Sequence, residues 1–302
     1  MNVRQSAEVA AALASSQAVV ALESTITSKM GLPAPYNREC FDRVNAAIRG
    51  AGAVPAVTAV INGELWAGIE PHHEALVLAA DEKLAERDLP VAIAAKRTGV
   101  TTVSATVTIA GLAGIRVFAT GGIGGVHRGA ELNFDVSSDL GAMSRHPVIV
   151  VSAGAKAFLD LPKTLEVLET LSVPVIGYQT SHFPAFWSRS SGLALSHRVE
   201  SATEIAAIAQ ANTALGWRGG MLVANPIPLE AEIPAAEIAD AIATGLAEAQ
   251  RAGATGPKAT PKILAAIAAA TDSRSIPANL ALAESNARLA GEIAVALRRG
   301  SL

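Results

Sequence analysis

The sequence predicts an α/β fold: a single domain over residues 1–302, with a mixed, largely parallel central sheet flanked by helices. Three observations lead there. Short, continuously apolar runs such as AVVAL (18–22) and VIVVSAG (148–154) alternate with longer segments of helical spacing. Strands that are apolar throughout belong to sheets covered by helices on both faces. Asn62-Gly63, between PAVTAVI and ELWAGI, marks a hairpin and therefore at least one antiparallel pair. No internal repeat, heptad pattern or low-complexity linker divides the chain, whose length allows ample core. Strand order is left open.

Bulk properties exclude several functions. Half of the residues are hydrophobic, yet charges are spread throughout and no uninterrupted apolar run reaches membrane-spanning length. A net charge of −3, from 24 basic and 27 acidic residues, argues against a general nucleic-acid or membrane-surface binder. Any phosphate it binds is then a small-molecule one. Cys40 is the single cysteine, so neither an internal disulfide nor a cysteine-based zinc site is possible. The N-terminal MNVRQSAEVAAALASSQAVVAL has a weak positive start and is interrupted by Glu8. It reads as a short helix followed by a strand rather than a signal peptide, and a cytoplasmic chain is expected.

Along the chain, 17–23 is a buried strand that runs into Glu23, at the carboxyl end where α/β sheets bind ligands. Spacing alone favours a solvated or capping glutamate there. A Pro/Gly-rich loop, TSKMGLPAPYN, precedes a helix from Arg38 to Gly50 with Phe41, Val44, Ala47 and Ile48 on one face. After the hairpin, Leu65 and Trp66 read as packing residues, and His72 and His73 as a surface pair. Residues 75–87 look helical and contain Lys83, and VAIAA (91–95) looks like a strand delivering Lys96. Thr101, Thr102 and Val103 open TTVSATVTIAG, where hydroxyls and amides near a helix start can bind oxyanions.

The most informative stretch runs from Val117 to Lys156. An apolar strand leads into Gly121, Gly122, Gly124, Gly125 and Gly129, then into Glu131, Asp135 and Asp139, and a second apolar strand delivers Lys156. Glycine-rich backbone after a strand can offer amides to a phosphate. Spaced carboxylates can hold a hard cation. A lysine at the end of a buried strand loses hydration and becomes nucleophilic. On these grounds Lys96 and Lys156 are equal candidates, and Ser137 and Asp139 are ordinary capping residues. The Walker A and Rossmann patterns are both absent. Further on, VPVIGYQT and MLVANPIP read as strands and SHFPAFWSRSSG as an aromatic loop. From Leu229 onward the chain is helical: Gly253 stops one helix, ATPKILAAIAAAT begins another and Ile276 to Arg299 forms a third. Asn279 precedes an apolar periodic run and would cap it.

GGIGGVHRGAE, FDVSSDL and AGAK, with EST at 23–25, K-x-x-x-R-D-L-P at 83–90 and PAF at 184–186, closely resemble the pseudouridine-5'-phosphate glycosidases, and the resemblance extends through most of the chain. It implies reversible conversion of pseudouridine 5'-phosphate and water to uracil and ribose 5-phosphate through a lysine Schiff base. Glu23 is then the general acid/base and Lys156 the nucleophile. The resemblance further implies substrate contacts from Lys83, Val103, Ser137, Ser138, Asp139 and Asn279, Mn2+ at Asp135 and a homotrimer. The family pattern has a histidine before the glycine in the loop where this chain has Lys29 and Met30, one residue longer. Two rivals remain beside it: another Schiff-base phosphosugar lyase or aldolase, and a non-catalytic phosphosugar-binding homologue.

Overall fold

The computed structural model describes residues 3–252, 259–271 and 273–300, and within these eleven strands share one sheet. In chain order they are β1 Arg4–Gln5, β2 Val19–Leu22, β3 Val54–Ile61, β4 Glu64–Ala67, β5 Lys83–Leu84, β6 Gly99–Thr101, β7 Val117–Ala119, β8 Ile149–Ser152, β9 Val175–Tyr178, β10 His197–Val199 and β11 Met221–Ala224. The main path runs β1-β4-β3-β2-β7-β8-β11-β9-β10, with β6 beside β3 and β5 beside β6. Every pair from β3 to β10 along that path is parallel. Antiparallel pairing enters where β3 meets β4 and β6. The sheet is mixed and largely parallel, as the sequence implies.

All residues of β2, β7, β8 and β11 are buried, which is why these runs lack the alternation of a half-exposed strand. Strand order reverses at β2. Its successor β3 lies on one side, while β7, β8 and β11 extend on the other. At such a switch point the connecting chains leave in opposite directions and open a crevice beyond the carboxyl ends.

β3 pairs with β2 through residues 54–57 and with β4 and β6 through its second half. β6 therefore continues the line that β2 vacates, and Thr101 meets the chain just past β2. Thr25 N donates to Thr101 O at 3.2 Å, and Thr101 N to Ser24 Oγ at 2.9 Å. Behind them the hydroxyls of Thr58, Thr101 and Thr106 are 2.8 and 3.0 Å apart in a fully buried cluster.

Most elements match their sequence signals. Ser6 caps the helix Ala7–Ala14, a helix covers Tyr36–Gly50, and Asn62 and Gly63 take the positive φ angles (52° and 77°) of a tight hairpin. Two expectations fail. The helix expected over 75–87 stops after Glu74–Ala79, and Lys83 stands instead on β5, paired with Val100 of β6. VAIAA is not a strand but part of the helix Leu89–Ala94, with Pro90 in its first turn. Proline suits a helix start and alanine its interior, and periodicity cannot separate the two in so short an apolar run. Lys96 consequently lies in an exposed turn after that helix rather than at a strand end. Gly253, the expected helix stop after Ala235–Arg251, lies outside the described residues.

Candidate active site

Glu23 is the first residue past β2 and Thr120 the first past β7, so the two face each other across the switch point. The Thr120 hydroxyl donates to Glu23 Oε1. Glu23 is only 8% exposed. Burial pushes its carboxyl above the usual carboxylate range, while the charge of Lys156 and the Thr120 hydrogen bond partly oppose that rise. A carboxylic acid shifted in that direction is better matched to proton transfer than an ordinary surface carboxylate.

Lys156 follows β8 after a short turn. Ile123 N donates to Gly154 O and Lys156 N to Ile123 O, each at 3.1 Å, which ties the glycine loop to the lysine segment. From the other side Phe186 N donates to Ala153 O at 3.0 Å. Gly154 takes φ +79° directly under the Pro184 carbonyl, where a Cβ has no room. The backbone carrying Lys156 is thus held from two directions.

Lys83 reaches the same cavity from β5. Burial is the main cause that lowers its ammonium to about 8, and the neighbouring charge of Lys156 adds to it. Asn279, on the helix Ser275–Arg299, sits in the second turn rather than capping it. Trp187 Nε1 donates to Asn279 Oδ1 at 2.8 Å, which leaves the amide NH2 as the donor available to the cavity.

The glycine loop behaves differently from the phosphate cradle its composition suggests. Gly124 N donates to Asp139 Oδ2 at 2.8 Å and Val126 N to Thr164 Oγ1 at 3.0 Å. Ser104 N, at the start of the helix Val103–Leu112, donates to Asp139 Oδ1 at 2.9 Å. Asp139 therefore joins the glycine loop to a helix start with both carboxylate oxygens. Ser137 caps the helix Ser138–Arg145, and the Ser138 hydroxyl is 3.0 Å from that of Ser104.

Glu23, Lys156, Lys83, Val103, Ser137, Ser138, Asp139, Asn279 and Asp135, the residues to which the resemblance gives roles, all line one cavity of ≈ 170 Å³ beyond the carboxyl ends of the sheet. Lys96 is not among its walls. The expected manganese site is overturned: among the described residues no group of three or more His, Cys, Asp or Glu side chains converges to hold a metal. Asp135 instead lies beside His127, whose Nδ1 is 3.9 Å from Asp135 Oδ2. His127 N also donates to Asp135 O at 3.0 Å.

Sequence reasoning missed several cavity residues. His127, Thr120, Phe186 and Met30 line it as well. His127 stands inside GGVHRG, where a titratable ring in a glycine loop was the available signal. Burial lowers the imidazole below its ordinary value, and Asp135 counteracts this. Of the two loop residues that depart from the family pattern, Lys29 points outward to an ion pair with Asp81 at 3.7 Å. Met30 is the one that reaches the cavity.

Residues 8–296 match the family model described as "Indigoidine synthase A like protein". The chain is 52% identical over 296 residues to the pseudouridine-5'-phosphate glycosidase of Paracoccus denitrificans, covering 97% of both chains. It is 49% identical over 300 residues to the one from Solibacter usitatus, covering 99% of this chain and 100% of that one. The chain belongs to the pseudouridine-5'-phosphate glycosidase family. It is accordingly an enzyme of the glycosidase type that cleaves carbon–carbon bonds. Solved structures carry the same fold. The prealnumycin C-glycosynthase AlnA, in complex with ribulose 5-phosphate, superposes with a TM-score of 0.91 at 36% identity, covering 100% of this chain and 98% of that one. An indigoidine synthase A-like protein from Thermotoga maritima gives 0.89 at 36% identity, covering 99% and 97%.

Proposed function

We propose that this glycosidase converts pseudouridine 5'-phosphate and water reversibly to uracil and ribose 5-phosphate, with Lys156 as the covalent nucleophile and Glu23 as the proton carrier. The observation that carries this assignment is the convergence on one cavity of Glu23, whose carboxyl is pushed by burial above the usual carboxylate range, and the amine of Lys156. The bond to be broken joins two carbons. An ordinary glycosidase protonates a leaving oxygen, and a carbon leaving group has no lone pair to protonate. An amine on the anomeric carbon supplies the missing electron pair.

In this scheme Glu23 gives its proton to the ribose ring oxygen as the ring opens, and Lys156 Nζ bonds to the anomeric carbon, releasing a proton as it becomes an amine substituent. Its lone pair then drives out the uracil ring carbon, which takes a proton, and leaves an iminium between lysine and sugar. Water adds to the iminium, and loss of the amine frees ribose 5-phosphate. Glu23 takes and returns protons in both halves. Lys83, Ser137, Ser138 and the Asn279 amide supply donors for the phosphate and sugar hydroxyls, and Val103 packs against the substrate. Asp139, also assigned here to the substrate side, keeps the glycine loop in place.

Incubation with pseudouridine 5'-phosphate tests the reaction. Release of uracil and ribose 5-phosphate in equal amounts is expected, and cleavage of other phosphosugars without uracil release would contradict it.

The finer setting is part of the same proposal. The enzyme works in the cytoplasm, and among the described residues no helix is long and apolar enough to cross a membrane. It acts as a homotrimer. Leu132 and Phe134, 87% and 86% exposed, give an apolar surface for a neighbouring subunit. Sedimentation at three times the 30.7 kDa chain mass supports this, and sedimentation as a monomer contradicts it.

A further inference from the structure

Two turns after Asn279, on the same face of the helix Ser275–Arg299, stands Asn286. It is completely buried, in a run where Leu282, Ala283, Leu289 and Ala290 are apolar and buried too. A buried amide in such company is costly unless each polar atom has a partner. Asn286 has them all. Its Nδ2 donates to Thr120 O at 2.8 Å and to Gly121 O at 3.3 Å, and its Oδ1 accepts from Asn225 Nδ2 at 2.9 Å. The two carbonyls fix the orientation of the amide, since a carbonyl can only accept.

Asn225, the first residue past β11, extends the connection. Its backbone N donates to Ser152 O at 2.9 Å, and the Ser152 hydroxyl donates to Gly154 O at 3.0 Å, two residues before Lys156. A buried series of hydrogen bonds through Thr120, Asn286, Asn225 and Ser152 thus joins Glu23 to the Gly154 carbonyl, two residues before Lys156. It spans the carboxyl ends of β7, β8 and β11, where Thr120 N still donates to Val151 O at 3.0 Å and Gly121 O accepts from Ala153 N at 2.9 Å, and the Asn286 amide adds a donor to the carbonyls of Thr120 and Gly121.

We propose that Asn286, supported by Asn225, is a positioning residue that keeps the Thr120–Glu23 pair in register with Lys156. The proposal rests on the catalytic roles assigned above. Neither asparagine touches the cavity, so the effect runs through Thr120. If the Thr120 carbonyl loses its donor, the residue can shift, and its hydroxyl leaves Glu23. The other charges acting on Glu23 (Lys156, Lys83 and Asp139) stay in place. Loss of the hydroxyl donor alone then raises the Glu23 acidity limb toward alkaline pH.

The test compares Asn286→Ala with the parent in two assays. In the first, the rate of borohydride trapping of ribose 5-phosphate on Lys156 is measured against pH, which needs no uracil pocket. In the second, kcat and KM for uracil release are measured. Asn286→Ala is expected to slow trapping and kcat by roughly 10–100-fold, as a misplacement near 1 Å does. The Glu23 limb moves alkaline, and both KM and the final extent of adduct stay close to the parent's. Asn225→Ala shows the same pattern, more weakly. Asn286→Asp keeps the volume but removes the donor, and follows Asn286→Ala if the latter does not fold. An unchanged trapping rate and pH limb in these variants overturns the proposal. So does a loss of rate with the limb unmoved, which marks a structural role only. A parent that traps ribose 5-phosphate but releases no uracil contradicts the substrate assignment and leaves the trapping comparison to decide the positioning role.

Discussion

The strand ends and the loop from His127 to Ser137 face the same cavity and are built in opposite ways. At the ends of β2, β7, β8 and β11 the segments that carry Glu23, Thr120 and Asn225 are buried and are joined by backbone, amide and hydroxyl hydrogen bonds. In the loop Leu132 and Phe134 are almost fully exposed, and Phe134 carries a φ of +56°. Reacting groups gain most from fixed geometry, because small misplacements cost large factors in rate. The loop holds neither the proposed nucleophile nor the proposed proton carrier, so looser support there costs less in rate. The difference teaches where a substitution should act on turnover and where it should act on binding or assembly.

Glu23→Gln strikes the rigid side and should show the largest effect. It keeps the shape and removes the proton, so kcat is expected to fall about 10²–10⁴-fold with little change in KM. Loss of the pH limb that Glu23 sets in the parent would accompany it. Steady-state kinetics across pH reads both.

Lys83→Met sharpens the contrast, because Lys83 lies on a strand yet is proposed to bind the phosphate. KM should rise about 10–100-fold, the worth of a charged hydrogen bond, with a smaller change in kcat. The parent's own pH dependence follows from the direction of the shift. With its ammonium lowered to about 8, Lys83 is protonated below that value and loses its hold on phosphate above it. KM therefore stays flat at neutral pH and climbs above about 8 in the parent, and is flat over the same range in Lys83→Met.

Asp139→Ala acts where the two regions are joined. It strands the Ser104 and Gly124 amides, so unfolding in urea should show a loss of about 1–3 kcal/mol. Arg4→Ala, at the far edge of the sheet, is the smallest. Its ion pair with Glu64 is 2.8 Å long but well exposed, and such pairs contribute about 0.2–1 kcal/mol. Activity should be unchanged.

The same division decides what was legible in the sequence. Strand ends announce themselves, because a fully apolar run followed by Glu23 or by Gly154-Ala155-Lys156 leaves few places for the polar residue except the rim of the sheet. Lys83 lines the cavity, but from a strand rather than from the helix that its sequence neighbours suggest. Its β5–β6 pairing is two residues long and depends on a partner seventeen residues later, which local periodicity does not report. The expected Mn2+ failed for a related reason. A single Asp135 in the sequence says nothing about whether further ligands converge, and among the described residues no group of three or more His, Cys, Asp or Glu side chains does so. Asn286 went unnoticed although a signal existed, namely two asparagines seven apart in an otherwise apolar helix face. The hydroxyl cluster of Thr58, Thr101 and Thr106 had none, since its members come from three separate elements.

Covalent capture at Lys156 bears most directly on the whole account. The enzyme is incubated with ribose 5-phosphate, reduced with borohydride, digested and mapped by mass spectrometry. The predicted result is one pentose-phosphate adduct, confined to the peptide that contains Lys156 and absent from Lys156→Ala. An adduct on Lys83 or elsewhere, or undiminished uracil release by Lys156→Ala, would contradict it.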